Sequence, residues 1–229
     1  TGDLVISKKA LSATADAKTK TYGSANPAAT ITYSGFENSE DATALDTAPA
    51  ATIGADATSG VGDYDITLSA GTDNNYEVTT TNGKLAVTKA VVAVTADDAA
   101  KIYDVAVAAI GFTSTGYVNE DDVDDIDTKP TVATTATATS DVGAYATTAS
   151  GGADNNYSFA YTDGVLTISK ATATIALSDN TADYDGKAHG VTVTTTPAGL
   201  EGSVTVKYDG STNEPVFVAS YAVTASMDD

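Results

Sequence analysis

A mostly β chain, built as a tandem array of small units, is predicted by three observations. The composition is rich in Thr, Ala, Asp, Val and Gly with little Leu, the chain repeats itself at a spacing of 81 residues, and several segments alternate apolar and polar residues strictly. Branched Cβ atoms favour strands because they pack well on a pleated surface and lose χ1 freedom in a helix. A fixed period of this length divides 229 residues into domains rather than one large core. Each such unit buries only about two thirds of the surface its unfolded chain exposes, so neighbour contacts or bound ions should matter to it.

The repeat can be followed residue by residue. Leu4, Leu85 and Leu166 head the strand patterns Leu-Val-Ile-Ser-Lys, Leu-Ala-Val-Thr-Lys and Leu-Thr-Ile-Ser-Lys, with Gly2, Gly83 and Gly164 two residues before them. Asn82-Gly83 and Asp163-Gly164 read as tight turns, which predicts that each Leu strand is the second arm of a hairpin. Tyr22 with Tyr103, Gly35 with Gly116, Phe36 with Tyr117 and Tyr64 with Tyr145 keep the same register, and Asp73-Asn74-Asn75-Tyr76 returns as Asp154-Asn155-Asn156-Tyr157. Tyr64–Leu68 and Tyr76–Val78 alternate with period two, and six or seven strands per unit are expected. Between Phe36 and Leu45, and again between Tyr117 and Ile126, a capping Asn or Ser precedes acidic residues and spaced apolar ones, the pattern of one short helix per unit.

These boundaries give residues 1–9 as the terminal strand of a preceding, truncated repeat, 10–90 as a first repeat and 91–171 as a second. Residues 172–229 form a third of divergent subtype, incomplete at its C-terminal side: Tyr184 lies in register with Tyr103, and the segment reaches Val218-Ala219-Ser220-Tyr221, the counterpart of Val61-Gly62-Asp63-Tyr64. The chain is therefore expected to be a piece of a longer array, with an exposed sheet edge where a closing strand would pair. Lys89-Ala90 and Lys170-Ala171 run straight into the next alternating segment without a Gly/Ser or Pro linker, so neighbouring units should share nearly continuous strands and form a stiff rod.

Charge and missing residue types narrow the function. The formal net charge is −20, and all eleven basic residues are Lys, which disfavours nucleic acid and anionic membrane as partners because both require clustered positive charge. Cysteine is absent, so there is neither a disulfide framework nor a thiolate metal site. His189 is the only histidine, which removes His-based triads and multi-His metal sites, and no catalytic activity is expected.

The ordered short motifs resemble the bacterial MBG domains, repeats of large secreted and surface-attached proteins. Lys20-Thr21-Tyr22-Gly23-Ser24-Ala25-Asn26-Pro27 is similar to the family's opening Tyr-Gly-x-x-x-Pro signature. Gly35-Phe36-Glu37-Asn38, Val61-Gly62-Asp63-Tyr64, and Asn75-Tyr76 with Gly83-Lys84-Leu85 come next in the family's order. The second unit departs from the signature at Asp104 and lacks its Pro. The third is similar to a sibling subtype through Tyr184-Asp185-Gly186, Thr196-Pro197-Ala198-Gly199-Leu200, Tyr208-Asp209-Gly210 and Ser220-Tyr221-Ala222-Val223. The resemblance implies a β-grasp-like unit in an adhesin-type, extracellular architecture, and it carries over no catalytic residues. An immunoglobulin-like β-sandwich is the alternative, because Tyr64, Tyr145 and Tyr221 sit where a tyrosine corner would tie a hydroxyl to the backbone.

Two sets of residues are candidate sites. Glu120, Asp121, Asp122, Asp124, Asp125 and Asp127 are candidate Ca2+ ligands, since that ion takes six to eight oxygens, although the EF-hand pattern is missing and a solvated acidic face is the favoured reading. The Asp-Asn-Asn-Tyr motif offers amides and a ring to a sugar, against the preferred reading, in which Asp and Asn cap their own turn and the Tyr packs inward. Neighbouring repeats of the same chain are the expected partners, with extracellular polysaccharide or a host surface as further ones. The expected function is a stalk or spacer in a large bacterial surface or secreted adhesin. A carbohydrate- or matrix-binding module is the first alternative, and accessory repeats of a secreted enzyme the second.

Overall fold

The computed structural model describes residues 2–227, and among them the regular structure is strand apart from two single 3-10 turns. Residues up to Lys101 together with Val105–Ile168 make one compact body, which holds the first two repeats, and Ile102–Asp104 with the residues from Ser169 onward make another.

The first repeat has seven strands: β1 (Lys9–Ala15), β2 (Lys18–Thr21), β3 (Ile31–Ser34), β4 (Ala51–Ile53), β5 (Gly62–Leu68), β6 (Tyr76–Thr81) and β7 (Gly83–Thr88). They form two sheets, ordered β3-β1-β6 and β2-β7-β5-β4. β1 runs parallel to β6 with Lys9 opposite Tyr76, and β2 runs parallel to β7 with Lys18 opposite Leu85, an offset of 67 residues in both cases (76 − 9 and 85 − 18). Two long segments therefore lie side by side in one register, and both cross from the first sheet into the second. The second repeat reproduces this with β8 (Ala90–Ala96), β9 (Ala99–Ile102), β10 (Phe112–Thr115), β11 (Thr131–Thr134), β12 (Gly143–Ser150), β13 (Tyr157–Thr162) and β14 (Gly164–Ser169), in sheets ordered β10-β8-β13 and β11-β12-β14-β9.

The crossing corrects the hairpin expectation. β6 and β7 are separated by Asn82 alone, yet each pairs with other strands and not with its neighbour in sequence. Gly83 is there for space: a Cβ on it would stand 2.5 Å from the Ala15 carbonyl oxygen, and on Gly164 2.5 Å from that of Ala96. Asn82 stabilises the crossing from outside, its Oδ1 accepting the Leu68 amide at 3.1 Å.

The expectation of one short helix per unit is corrected as well. Asn38 and Ser39 have φ of 50° and 62°, and Asn119 and Glu120 have 58° and 69°, and two successive left-handed residues cannot sit inside a right-handed helix. The first repeat forms only a single 3-10 turn after them, Ala42–Ala44, with Asp41 accepting the Thr43 amide at 2.8 Å. In the second repeat the same segment forms turns only. A β-grasp lays a helix over its sheet; among the described residues the first two repeats have two sheets each and no α-helix.

Burial matches the alternation. Leu11, Ala13 and Ala15 of β1, Ile66 of β5, and Leu85 and Val87 of β7 point inward. The cluster containing Ala15, Ile66, Leu85 and Val87 continues into Ala90, Val92, Val94 and Ala96 of β8, so one apolar cluster spans the first two repeats, while Leu11, Leu45 and Tyr76 form a second cluster and Ala136, Leu166 and Ile168 a third. Only Lys89 separates β7 from β8.

The third repeat, in the other compact body, has β15 (Thr174–Ser178) paired antiparallel with β16 (Thr192–Thr196), and β17 (Val204–Tyr208) paired antiparallel with β18 (Val223–Met227). At the start of the chain, residues 2–8 belong to no strand, and Leu4, Val5 and Ile6 are exposed.

Candidate functional site

The most elaborate side-chain arrangement is the junction between the first two repeats. Tyr22, just past β2, is 8% exposed because its ring meets Tyr157 of the second repeat edge-on, with centroids 5.5 Å apart and planes at 90°. Tyr157 meets Tyr117 in the same manner at 5.7 Å. Such edge-to-face pairs align the positive rim of one ring with the negative face of the next. The Tyr157 hydroxyl accepts the Val118 amide at 3.0 Å and donates to Asp121 Oδ2 at 2.7 Å. Burial, with the Asp121 carboxylate nearby, raises the phenol's pKa, so the group remains a neutral donor. Beside Tyr22, Gly23 adopts φ of 78°, and a Cβ on it would lie 2.4 Å from Val118 Cγ2, so the chain packs there backbone against side chain. Asn156 Oδ1 completes the contact by accepting the Val61 amide at 2.9 Å.

The first repeat carries the matching face. Phe36 and Tyr76 meet edge-on at 5.4 Å, the Tyr76 hydroxyl accepts the Glu37 amide at 3.0 Å and donates to Glu40 Oε2 at 2.5 Å. That bond to Glu40, with burial, pushes the Tyr76 pKa up to about 12.

The Asp-Asn-Asn-Tyr motif is a turn. Asp73 Oδ1 accepts the Asn75 and Tyr76 amides at 2.7 and 2.8 Å, and Asp154 Oδ1 those of Asn156 and Tyr157 at 2.7 and 2.9 Å. The amide of Asn75 above all holds the Asp73 carboxyl below the usual range. Both Tyr side chains are buried. The three corner tyrosines also repeat one geometry: Tyr64, Tyr145 and Tyr221 each donate at 2.9 Å to the carbonyl four residues upstream, of Gly60, Asp141 and Phe217 respectively.

The acidic candidates do not converge. Asp121 turns to the two junction tyrosines, and Asp124 pairs with Lys129 at 2.5 Å. Asp122 accepts the Asp124 amide at 2.6 Å, Asp125 accepts the Asp122 amide at 2.8 Å, and Asp127 accepts from Asn155 Nδ2 at 3.1 Å. Glu120 is exposed at a left-handed position. Among the described residues no three acidic or histidine side chains are grouped as a metal ion would need.

Sequence reasoning passed over Lys20 and Lys101, which are buried at equivalent positions. Lys20 Nζ donates to the carbonyls of Ser24 and Asp56, and Lys101 Nζ to that of Ala138 at 2.9 Å, so each ammonium ties a loop to the sheet. The signal for them was their register, since the two lie 81 residues apart in the short strands Lys18–Thr21 and Ala99–Ile102.

Residues 11–86 and 92–167 each match the family described as MBG domain (YGX type), and residues 173–229 match a second family described as MBG domain. No curated protein matches the chain.

Proposed function

Since the chain belongs to the MBG domain family, we propose that it is a structural stalk or spacer segment of a large bacterial surface or secreted adhesin, outside the cell, with its neighbouring repeats as its main partners. The observation that carries this reading is the junction. A spacer must hold its direction from one unit to the next, and here one residue joins the repeats, an apolar cluster spans the junction between them, and Tyr22 is buried against Tyr157 and Asp121. Repeats that contact only their neighbours gain stability from each interface in turn. Deleting residues 10–90 from the parent protein is expected to shorten its reach and leave ligand binding elsewhere in the parent intact. Loss of that binding on deletion would overturn the spacer reading.

One observation favours a carbohydrate-binding module as the second reading. Phe159 and Tyr161 stack on β13 with centroids 6.3 Å apart and planes at 16°, and Tyr161 is 39% exposed. The equivalent positions in the first repeat are Val78 and Thr80, so the pair is confined to one repeat. A glycan screen in which Tyr161→Ala removes a reproducible hit would favour this reading over the spacer.

A further inference from the structure

In each of the first two repeats, the strand by which the chain enters and the strand by which it leaves are both central in their sheets. β1 lies between β3 and β6, and β7 between β2 and β5; β8 lies between β10 and β13, and β14 between β12 and β9. One neighbour in each case comes from the opposite end of the repeat. β1 pairs parallel with β6 over six residues, Lys9–Thr14 against Tyr76–Thr81, and β2 pairs parallel with β7 over four, Lys18–Thr21 against Leu85–Thr88. The Lys9 amide extends this double ladder at its start by donating to the Asn75 carbonyl at 2.8 Å, and the Tyr22 amide extends it at its end by donating to that of Thr88 at 2.8 Å. In the second repeat β8 pairs parallel with β13, and the bonds from the Ala90 amide to Asn156 at 3.0 Å and from the Tyr103 amide to Ser169 at 2.9 Å hold the equivalent places.

We propose that the first two repeats bear mechanical load, with residues 9–21 and 76–88, and their counterparts 90–102 and 157–169, acting as shear clamps against tension along the chain. Tension enters the first repeat at Lys9 and leaves it at Thr88. Because the two segments run parallel, it draws them in opposite directions along their own length, and the inter-strand bonds are stretched together. A pair pulled apart from one end would instead open bond by bond, each at a small force.

Three features favour this role. The loaded strands are central, so sliding either one must break its bonds to two neighbours at once. Their inward faces are dry, with Leu11, Ala13, Leu85 and Val87 no more than 3% exposed, so water is kept from that side of the stretched ladder. The load also meets no slack between repeats, because Lys89 alone separates the exit strand β7 from the entry strand β8. Resistance of this kind is kinetic: forced unfolding follows the unfolding barrier and not the equilibrium stability, so a repeat with a modest core can still carry force. The clamp deepens the spacer reading and rests on it for the source of the tension.

The test uses the full chain with handles coupled through introduced cysteines, which are unambiguous because the native chain has none. In the variant carrying Ser7→Cys and Lys89→Cys, the handles load the two segments from opposite ends. In the variant carrying Ser7→Cys and Asn74→Cys they pull at one end, beside the bond from Lys9 to Asn75, and peel away the edge strand β6. All three positions are exposed, so the variants share one fold and differ in the direction of load. Optical tweezers at a common loading rate read the rupture force. The freed length identifies the event: 82 residues (89 − 7), or up to about 295 Å, in the first variant, and 67 residues (74 − 7), or up to about 240 Å, in the second. The first variant is expected to rupture at a force several-fold higher than the second. Equal forces in the two directions overturn the proposal, as does a higher force on peeling. Deletion of residues 10–90 from the parent decides the spacer reading separately, so either can fail while the other stands.

Discussion

The Tyr22 hydroxyl of the first repeat lies 3.2 Å from Asp121 Oδ2, the same oxygen that takes the Tyr157 proton at 2.7 Å. One carboxylate of the second repeat thus satisfies a phenol from each side of the junction. Asp121→Ala removes the acceptor from both and is expected to cost about 1–3 kcal/mol, the range for leaving buried donors unpaired. Asp124→Ala, which breaks only the exposed pair with Lys129, should cost less than about 1 kcal/mol. Urea unfolding of both variants checks the contrast, and a double-mutant cycle with Tyr22→Phe isolates the coupling across the junction. Equal effects at positions 121 and 124 would remove Asp121 from the junction.

Tyr76 makes the alkaline limb of stability informative. Its pKa is raised to about 12, first by the hydrogen bond to Glu40 and then by burial, whereas an unfolded tyrosine ionises near pH 10. A raised acid pKa means that the folded state keeps the proton longer. The contribution is therefore complete below about pH 10 and is lost as pH rises from about 10 to about 12. The stability gap between the native chain and Tyr76→Phe should narrow across that window, with tyrosinate absorbance tracking the ionisation. A gap that is constant with pH would show that the Glu40 bond is not formed.

Gly83→Ala tests the sheet crossing. An added Cβ would meet the Ala15 carbonyl oxygen at 2.5 Å, and that oxygen belongs to a paired strand that cannot yield without losing its register. The expected loss is about 1–3 kcal/mol, the usual range for overpacking. Gly202→Ala, where nothing lies within 4 Å, should change stability by less than about 0.5 kcal/mol. Leu85→Ala, which empties a fully buried position, should cost about 2–5 kcal/mol. Thermal unfolding ranks the three, and a neutral Gly83→Ala would restore the hairpin as a reading of Asn82-Gly83.

Much of this was legible because the sequence states it more than once. The 81-residue register located the equivalent strands, and with them the Asp73 and Asp154 turns and the corner tyrosines, whose hydrogen bonds span four residues or fewer. Where two physical reasons select the same residue, the sequence was ambiguous. Gly83 could mean a positive φ or a close approach, and only the position of Ala15 decides between them. Asn38 could cap a helix or enter the left-handed region, and with Ser39 it does the latter. The junction was out of reach because Tyr22 and Asp121 are 99 residues apart in sequence, and nothing in either local pattern points to the other.

The acidic run from Glu120 to Asp127 allows a prediction about Ca2+. A hard cation of this size needs six to eight oxygens brought within coordinating distance, and these carboxylates are spent separately: on two phenols, on Lys129, on turn amides and on Asn155. Gathering them would break the Asp121 bonds that hold the junction, so any ion would gain ligands at the expense of repeat packing. Calorimetric titration of Ca2+ into chelator-treated protein is expected to give weak heats without saturation, diffuse screening of a chain with net charge −20, and only a small rise in melting temperature. Saturable heat with a large rise in melting temperature would mean that the turns rearrange around the ion, because anything that binds the folded chain alone stabilises it by mass action. In that event Asp121→Asn should abolish both the heat and the shift, whereas in a chain without an ion site it weakens the junction and leaves the Ca2+ response unchanged.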